Sequence, residues 1–142
     1  MEAALEQAQQ AAAANEVPVG AVISRNGAVL ARARNETVAR RDPTAHAELL
    51  AIQAALQAAG TDRLEDCTLY VTLEPCAQCA GAIVLARVGR LVFGAYDEKA
   101  GMCGSVGDLV RHGRLNHRLE VQGGVMEELC GDLLSVFFQA KR

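Results

Sequence analysis

Two short stretches of the 142-residue chain carry side chains able to do metal chemistry. In "DPTAHAELLAIQ", Asp42 to Gln53, His46 stands two residues before Glu48; in "EPCAQCA", Glu74 to Ala80, Cys76 and Cys79 form a Cys-x-x-Cys pair. Each has a bland reading when taken alone. A glutamate in a helix's first turn is favoured by the macrodipole. A Cys-x-x-Cys pair also serves redox chemistry or a closed structural metal site. Taken together they point elsewhere. One histidine and two cysteines are three ligands suited to zinc, and no second His or Cys pair lies nearby to complete a closed tetrahedron. Three protein ligands with an open fourth position are the pattern of catalytic zinc, whose role is to lower the pKa of a water molecule. A redox pair would leave His46 without a role. Glu48, on the same helix turn as His46, reaches that water without ligating and can move its proton. The reading is a hydrolytic site built from His46, Cys76 and Cys79 as metal ligands with Glu48 as proton shuttle.

The elements that must position these residues are legible. "VPVGAVISRNGAVLARARN" holds two β-branched runs split by Asn26-Gly27, a dipeptide that accepts the positive φ values of a tight hairpin, so antiparallel strands are predicted over 19–24 and 28–34. After a polar connection, Pro43 suits a helix edge and Thr44 a cap, and "AHAELLAIQAALQAAG" carries helical spacing to a stop at Gly60. "CTLYVTLEP" reads as a buried strand over 68–73, "CAQCAGAIVLARVG" as a helix with both cysteines in its first turn, and "RLVFGA" as a strand over 90–94. "LVRHGRLNHRLEVQGG" offers a short helix, a basic loop and a brief strand near 118–121. Ala-rich and amphipathic helices open and close the chain. Strands alternating with helices argue for a layered α/β domain. In such a domain helix starts can converge at one sheet edge, an arrangement that would bring His46 to Cys76 and Cys79.

Composition narrows the class. A length of 142 residues fits one domain spanning 1–142. A hydrophobic content of 51% with 22% charged residues describes a folded protein. No run of about 18 apolar residues indicates a membrane span, and "MEAALEQAQQAAAANE" lacks the basic start and apolar stretch of a signal peptide. Five cysteines, an odd number, in such a chain argue for reduced thiols and a cytoplasmic setting. A net charge of −3 argues weakly against a generic nucleic-acid binder and leaves room for a local basic patch.

"HAE" followed by "TLEPCAQCAGAI" resembles the signature of the zinc-dependent cytidine/deoxycytidylate deaminase superfamily. "EVPVGAV", "RDPTAHAE", "RVGRLVFGA" and "NHR" look, in order and across nearly the whole chain, like the bacterial tRNA-specific adenosine deaminases. That resemblance implies a three-layer α/β/α cytidine deaminase-like domain with a mixed five-stranded central sheet flanked by helices, its last two strands parallel. It implies a homodimer with one Zn2+ per subunit and the conversion of adenosine to inosine at the wobble position of a tRNA anticodon stem-loop. It makes His46, Cys76 and Cys79 the zinc ligands, Glu48 the proton shuttle and Asn35 a contact to the flipped nucleoside. In the family register Asp97 lies beside that nucleotide, where a carboxylate can accept from a 2′-hydroxyl. Two departures narrow the RNA footprint: the chain stops at "QAKR" without a basic extension, and its first helix lacks the Lys, Arg and Trp frequent there.

"RHGRLNHR" is the densest basic stretch. A solvated loop is the plain reading; with the resemblance, Arg111, Arg114 and Arg118 become expected phosphate contacts, while Asn116 and His117 can instead brace the loop. Cys67, Cys103 and Cys130 read as buried small hydrophobes, with exposure left open for Cys103. Glu74 reads as a hydrogen-bonded structural carboxylate, and Phe137 and Phe138 as helix packing. The apolar faces of "AGAIVLARVG" exceed what one sheet contact requires and favour a dimer. Two rivals remain: a superfamily deaminase acting on free guanine, cytosine nucleosides or deoxycytidylate, and a non-catalytic zinc-stabilised RNA-binding module.

Overall fold

The computed structural model describes residues 1–142. Helix α1 (Glu2–Ala13) leads into strands β1 (Gly20–Arg25) and β2 (Ala28–Arg34), then α2 (Ala47–Ala59), β3 (Cys67–Leu73), α3 (Ala77–Leu85), β4 (Arg90–Ala95), β5 (Glu120–Gln122) and α4 (Glu127–Ala140). The strands form one sheet in the order β2-β1-β3-β4-β5. β1 runs antiparallel to both β2 and β3, whereas β3, β4 and β5 are mutually parallel. The sheet is therefore mixed and five-stranded, with its last two strands parallel as expected.

Local chemistry explains the turns. Asn26 and Gly27 take φ of 52° and 78°, the paired positive values of a tight hairpin between β1 and β2. α2 ends at Gly60 in the left-handed region, where its N–H closes on the carbonyl of Gln57. Parallel β4 and β5 need a long crossover, supplied by residues 96–119.

Side chains alternate across the sheet and separate two helical layers. Ala21, Ile23, Leu69, Val71 and Leu91 join the main core with Ala51, Ile52 and Ala55 of α2 and Ala80 and Ile83 of α3. The opposite face receives α1 and α4. Two glycines permit that approach. A Cβ at Gly20 would collide with the backbone of Ala4 and Ala8 in α1, and one at Gly94 with Cys130 of α4. The Ala-rich first helix thus lies flat on β1 because neither surface carries bulk. The result is the expected α/β/α layering, with a core poor in aromatics in which Phe93 is the largest fully buried side chain.

Three local expectations differ from the structure. The short helix foreseen near "LVRHG" does not form; residues 104–119 are turns, bends and irregular chain with one isolated bridge residue, Asp108. Gly107 and Gly113 punctuate the segment, and Asp108 binds the backbone and guanidinium of Arg111 rather than capping a helix. Thr44 does not cap α2. His46 occupies the N-cap with extended backbone, while the Thr44 hydroxyl donates to Asp42 Oδ1 at 2.7 Å in a tight Asx turn. Phe138 is not fully packed: it lines the groove beside Tyr96, because Cys130 and Leu134 hold the inward face of α4. No helix is long and apolar enough to cross a membrane.

Candidate active site

The carboxyl ends of parallel β3 and β4 meet the start of β1 and the end of β2 at one edge of the sheet. Ligands characteristically bind at that edge in open α/β sheets. β3 delivers Glu74, Pro75 and Cys76, and β2 delivers Asn35 and the loop that leads to His46. A cavity of about 280 Å³ opens there, its wall including Asn35, His46, Glu48, Glu74, Cys76 and Asp97.

The two helix starts converge as the sequence requires. His46 is the N-cap of α2 and Cys76 the N-cap of α3, with Cys79 in the first turn. His46 Nδ1 lies 3.6 Å from Cys76 Sγ and 3.5 Å from Cys79 Sγ. One ligand atom from each of the three residues falls within 4.8 Å of the others, so together they could hold a metal ion. Gln78, to which the sequence gave no role, ties the helices together: its Nε2 donates to the Thr44 carbonyl at 3.0 Å. Only its place inside the Cys-x-x-Cys pair could have signalled this.

Electrostatics prepares the sulfurs. The Cys76 thiol is pulled down to about 5, chiefly by the hydrogen bond from Cys79, with the Cys79 backbone and His46 adding to it against burial. The same hydrogen bond, together with burial and the nearby Glu48 and Cys76 charges, pushes Cys79 well above the usual thiol range. The two sulfurs are thus pushed in opposite directions, Cys76 toward the thiolate and Cys79 toward the thiol.

Glu48 is 5% exposed and forms no ion pair with lysine or arginine. Burial pushes its carboxyl up to about 7, against the opposing pull of its own backbone N–H and of His46. A carboxyl held near neutrality both accepts and donates protons at working pH. Asn35 is 5% exposed. Its Nδ2 donates to the Val17 carbonyl at 3.4 Å, while its Oδ1 has no partner. A buried acceptor left open in a cavity wall is costly unless a ligand donor fills it.

Asp97 reaches the cavity wall, but its Oδ1 is occupied by the N–H groups of Lys99 and Ala100, both at 3.1 Å. The basic loop lies apart from this wall. Arg111 pairs with Asp108 at 2.6 Å and donates to the Cys103 carbonyl, and Arg118 donates to the Gly113 carbonyl. Arg114 is exposed and its guanidinium has no protein partner. His117 braces the loop, with Nε2 2.7 Å from the Val88 carbonyl. Cys67, Cys103 and Cys130 are all buried, which closes the question left open for Cys103.

Glu16 carries a role that the sequence did not reveal. This buried carboxylate accepts from the N–H groups of Val38 and Ala39 at 2.9 and 2.8 Å, shaping the loop between Asn35 and His46. Its sequence signal is a lone acid just before the apolar "VPVGAV".

The comparisons with known proteins agree with this geometry. The MafB19-like deaminase family matches residues 1–142. The tRNA-specific adenosine deaminase of Bacillus subtilis is 50% identical over 142 residues, covering 100% of this chain and 88% of that protein. The Haemophilus influenzae protein of the same name is 46% identical, covering 100% and 83%. Among solved structures, a tRNA:A34 deaminase studied for A-to-I editing at the wobble position superposes with a TM-score of 0.90 at 42% identity, covering 94% of this chain and 97% of that one. A Bacillus subtilis guanine deaminase is more distant, with a TM-score of 0.64 at 39% identity over 67% of this chain and 61% of that one. End-to-end similarity, joined to the convergence of His46, Cys76, Cys79 and Glu48 on one cavity, means that the chain belongs to the MafB19-like deaminase family, among the tRNA-specific adenosine deaminases.

Proposed function

We propose that this chain, acting over 1–142 as one domain, hydrolyses the amino group of adenosine at the wobble position of a tRNA anticodon, giving inosine and ammonia. The observation that carries the reading is the meeting, in the wall of one small cavity, of a His-Cys metal cluster, a buried carboxyl near neutrality and an unpartnered Asn35 acceptor.

The donor set fits zinc. Tetrahedral zinc with Zn–N of about 2.05 Å and Zn–S of about 2.3 Å separates nitrogen from sulfur by about 3.6 Å. The observed separations of 3.6 and 3.5 Å agree. His46 Nδ1, Cys76 Sγ and Cys79 Sγ would hold one Zn2+ per subunit. When bound, zinc acts as a Lewis acid that brings the pKa of water toward neutrality. The remaining chemistry falls to the chain. Glu48 takes one proton of the attacking water as its oxygen bonds to C6 and passes it to the ring nitrogen beside C6; it then takes the second proton from the new C6 hydroxyl and delivers it to the exocyclic amine. The exocyclic C6–N bond then breaks, ammonia leaves, and C6 keeps the oxygen as a carbonyl. Asn35 Oδ1 takes a donor from the nucleoside and fixes its orientation. Val17, Val19 and Leu73 offer apolar surface to the base.

A target inside a cavity must leave its stack, and an anticodon loop makes that inexpensive because its bases are unpaired. Flanking phosphates then supply the binding energy that a free nucleoside lacks. Arg114, with Arg111 and Arg118, serves that purpose. Asp97 retains Oδ2 for a 2′-hydroxyl. A homodimer is part of this reading, supported by Leu85 at the end of α3, which is 84% exposed. The reduced, buried thiols suit a cytoplasmic enzyme.

The test is a substrate panel at equal zinc loading: an anticodon stem-loop with adenosine at the wobble position, free adenosine, guanine and cytidine. The stem-loop should show much the highest kcat/KM. Equal or better turnover of a free base or nucleoside moves the protein to another branch of the superfamily, and binding without turnover makes it an RNA-binding module.

A further inference from the structure

Glu74 has no part in the chemistry above, yet it is among the most completely buried polar side chains, 1% exposed and without a lysine or arginine partner. Its carboxylate is surrounded by donors from a single segment. Oε1 accepts from the Asp97 N–H at 3.0 Å and from the Ser105 hydroxyl, while Oε2 accepts from the N–H groups of Cys103 at 3.1 Å and Ser105 at 3.0 Å. Gly101 is moulded against the same group. A Cβ there would press into the Glu74 carboxyl and lie 2.5 Å from the Asp97 carbonyl oxygen. The neighbouring Pro75 carbonyl takes the Met102 N–H at 2.9 Å.

Residues 97–105 contain neither helix nor strand, only an isolated bridge from Cys103 to Asp108. Such a segment has no ladder to satisfy its amides, so a buried acceptor decides its path. Its first part, Asp97 and Ala100, also lines the cavity that Asn35 and His46 line. We propose that Glu74 is a positioning residue for substrate: its carboxylate is the template on which residues 97–105 fold, and it sets how closely Asp97 and Ala100 approach the bound nucleotide. Glu74 thereby couples the strand end that delivers Cys76 to the wall that grips the base. The inference rests on the reading that this cavity takes the nucleotide.

The test uses full-length, zinc-loaded Glu74→Gln and Ser105→Ala. Glutamine preserves shape but turns an NH2 group toward backbone donors. In Glu74→Gln, hydrogen exchange at Asp97, Cys103 and Ser105 should accelerate while β3 and β4 amides stay protected. KM for the stem-loop should rise about tenfold or more with kcat within about threefold, the mark of lost binding common to ground and transition states. Ser105→Ala removes one bond of four and should shift both readouts in the same direction by less. Wild-type exchange at those three amides, equal loss of protection in β3, or a fall in kcat at unchanged KM would each overturn the proposal. If Glu74→Gln does not fold, unchanged exchange and KM in Ser105→Ala overturn it alone. Exchange needs no substrate, so released loop amides in a protein whose wild type ignores the stem-loop would count against the tRNA reading and support the loop's dependence on Glu74.

Discussion

Glu48→Gln removes the proposed proton carrier and almost nothing else. The side chain is 5% exposed, so bulk water has little access to substitute for it. Glutamine has nearly the same volume and opens no cavity of the kind that destabilises cores. No lysine or arginine pairs with Glu48, so the change strands no buried cation. The loss should therefore appear in the chemical step. A positioned general acid–base contributes roughly 10²–10⁴-fold. One residue serving several transfers belongs at the top of that range. Four factors of ten at about 1.36 kcal/mol each make about 5.4 kcal/mol of transition-state stabilisation. The assay is single-turnover inosine formation on a wobble-adenosine stem-loop at saturating enzyme, with zinc content and RNA affinity measured on the same preparation. The expected result is a rate down about 10⁴-fold with zinc and RNA affinity within about twofold of wild type. A zinc-loaded variant that turns over within tenfold of wild type would refute the assignment.

Cys76→Ser should lose the metal and lower the unfolding temperature, since metal affinity is linked to folding; elemental analysis and calorimetry check both. Stripping zinc from the wild type should expose one fast-reacting thiol, Cys76, which is half-buried and ionises near 5, while Cys67, Cys103 and Cys130 stay protected. Peptide mapping after brief alkylation would show which cysteine reacts. Leu85→Asp should leave helicity intact and shift light scattering from dimer toward monomer; wild type already monomeric at micromolar concentration contradicts the dimer. Arg114→Ala should weaken stem-loop binding and flatten its log–log salt dependence by about 0.7–0.9 for one lost phosphate contact.

Much of the site was legible because its chemistry constrains residue types at fixed local spacing. His46 and Glu48 share one helix start, and Cys76 and Cys79 share another. Strand and helix periods, with Asn26-Gly27 and Gly60 as punctuation, were enough to place those starts at one edge of a layered sheet. What sequence could not supply was the tertiary partner of each buried acid. Glu16 and Glu74 satisfy backbone amides 22 and 31 residues away, at Val38 and Ser105, and nothing local marks such long-range pairing. The crossover after β4 joins parallel strands as expected, but the short helix expected at "LVRHG" gives way to Asp108 and Arg111, whose hydrogen bonds close a turn instead. Arg111, expected from the resemblance as a phosphate contact, is bonded within its own loop to Asp108 and the Cys103 carbonyl.

Removal of the amino group from one particular adenosine in tRNA leaves two products that can be counted together. The most direct measurement incubates zinc-loaded wild type with an unmodified tRNA carrying adenosine at the wobble position. Released ammonia is counted, and the product is sequenced so that inosine reads as guanosine. The expected result is one ammonia per inosine, with inosine confined to the wobble position and absent when Glu48→Gln replaces wild type. Ammonia without inosine, inosine scattered over other adenosines, or an unchanged tRNA would contradict it.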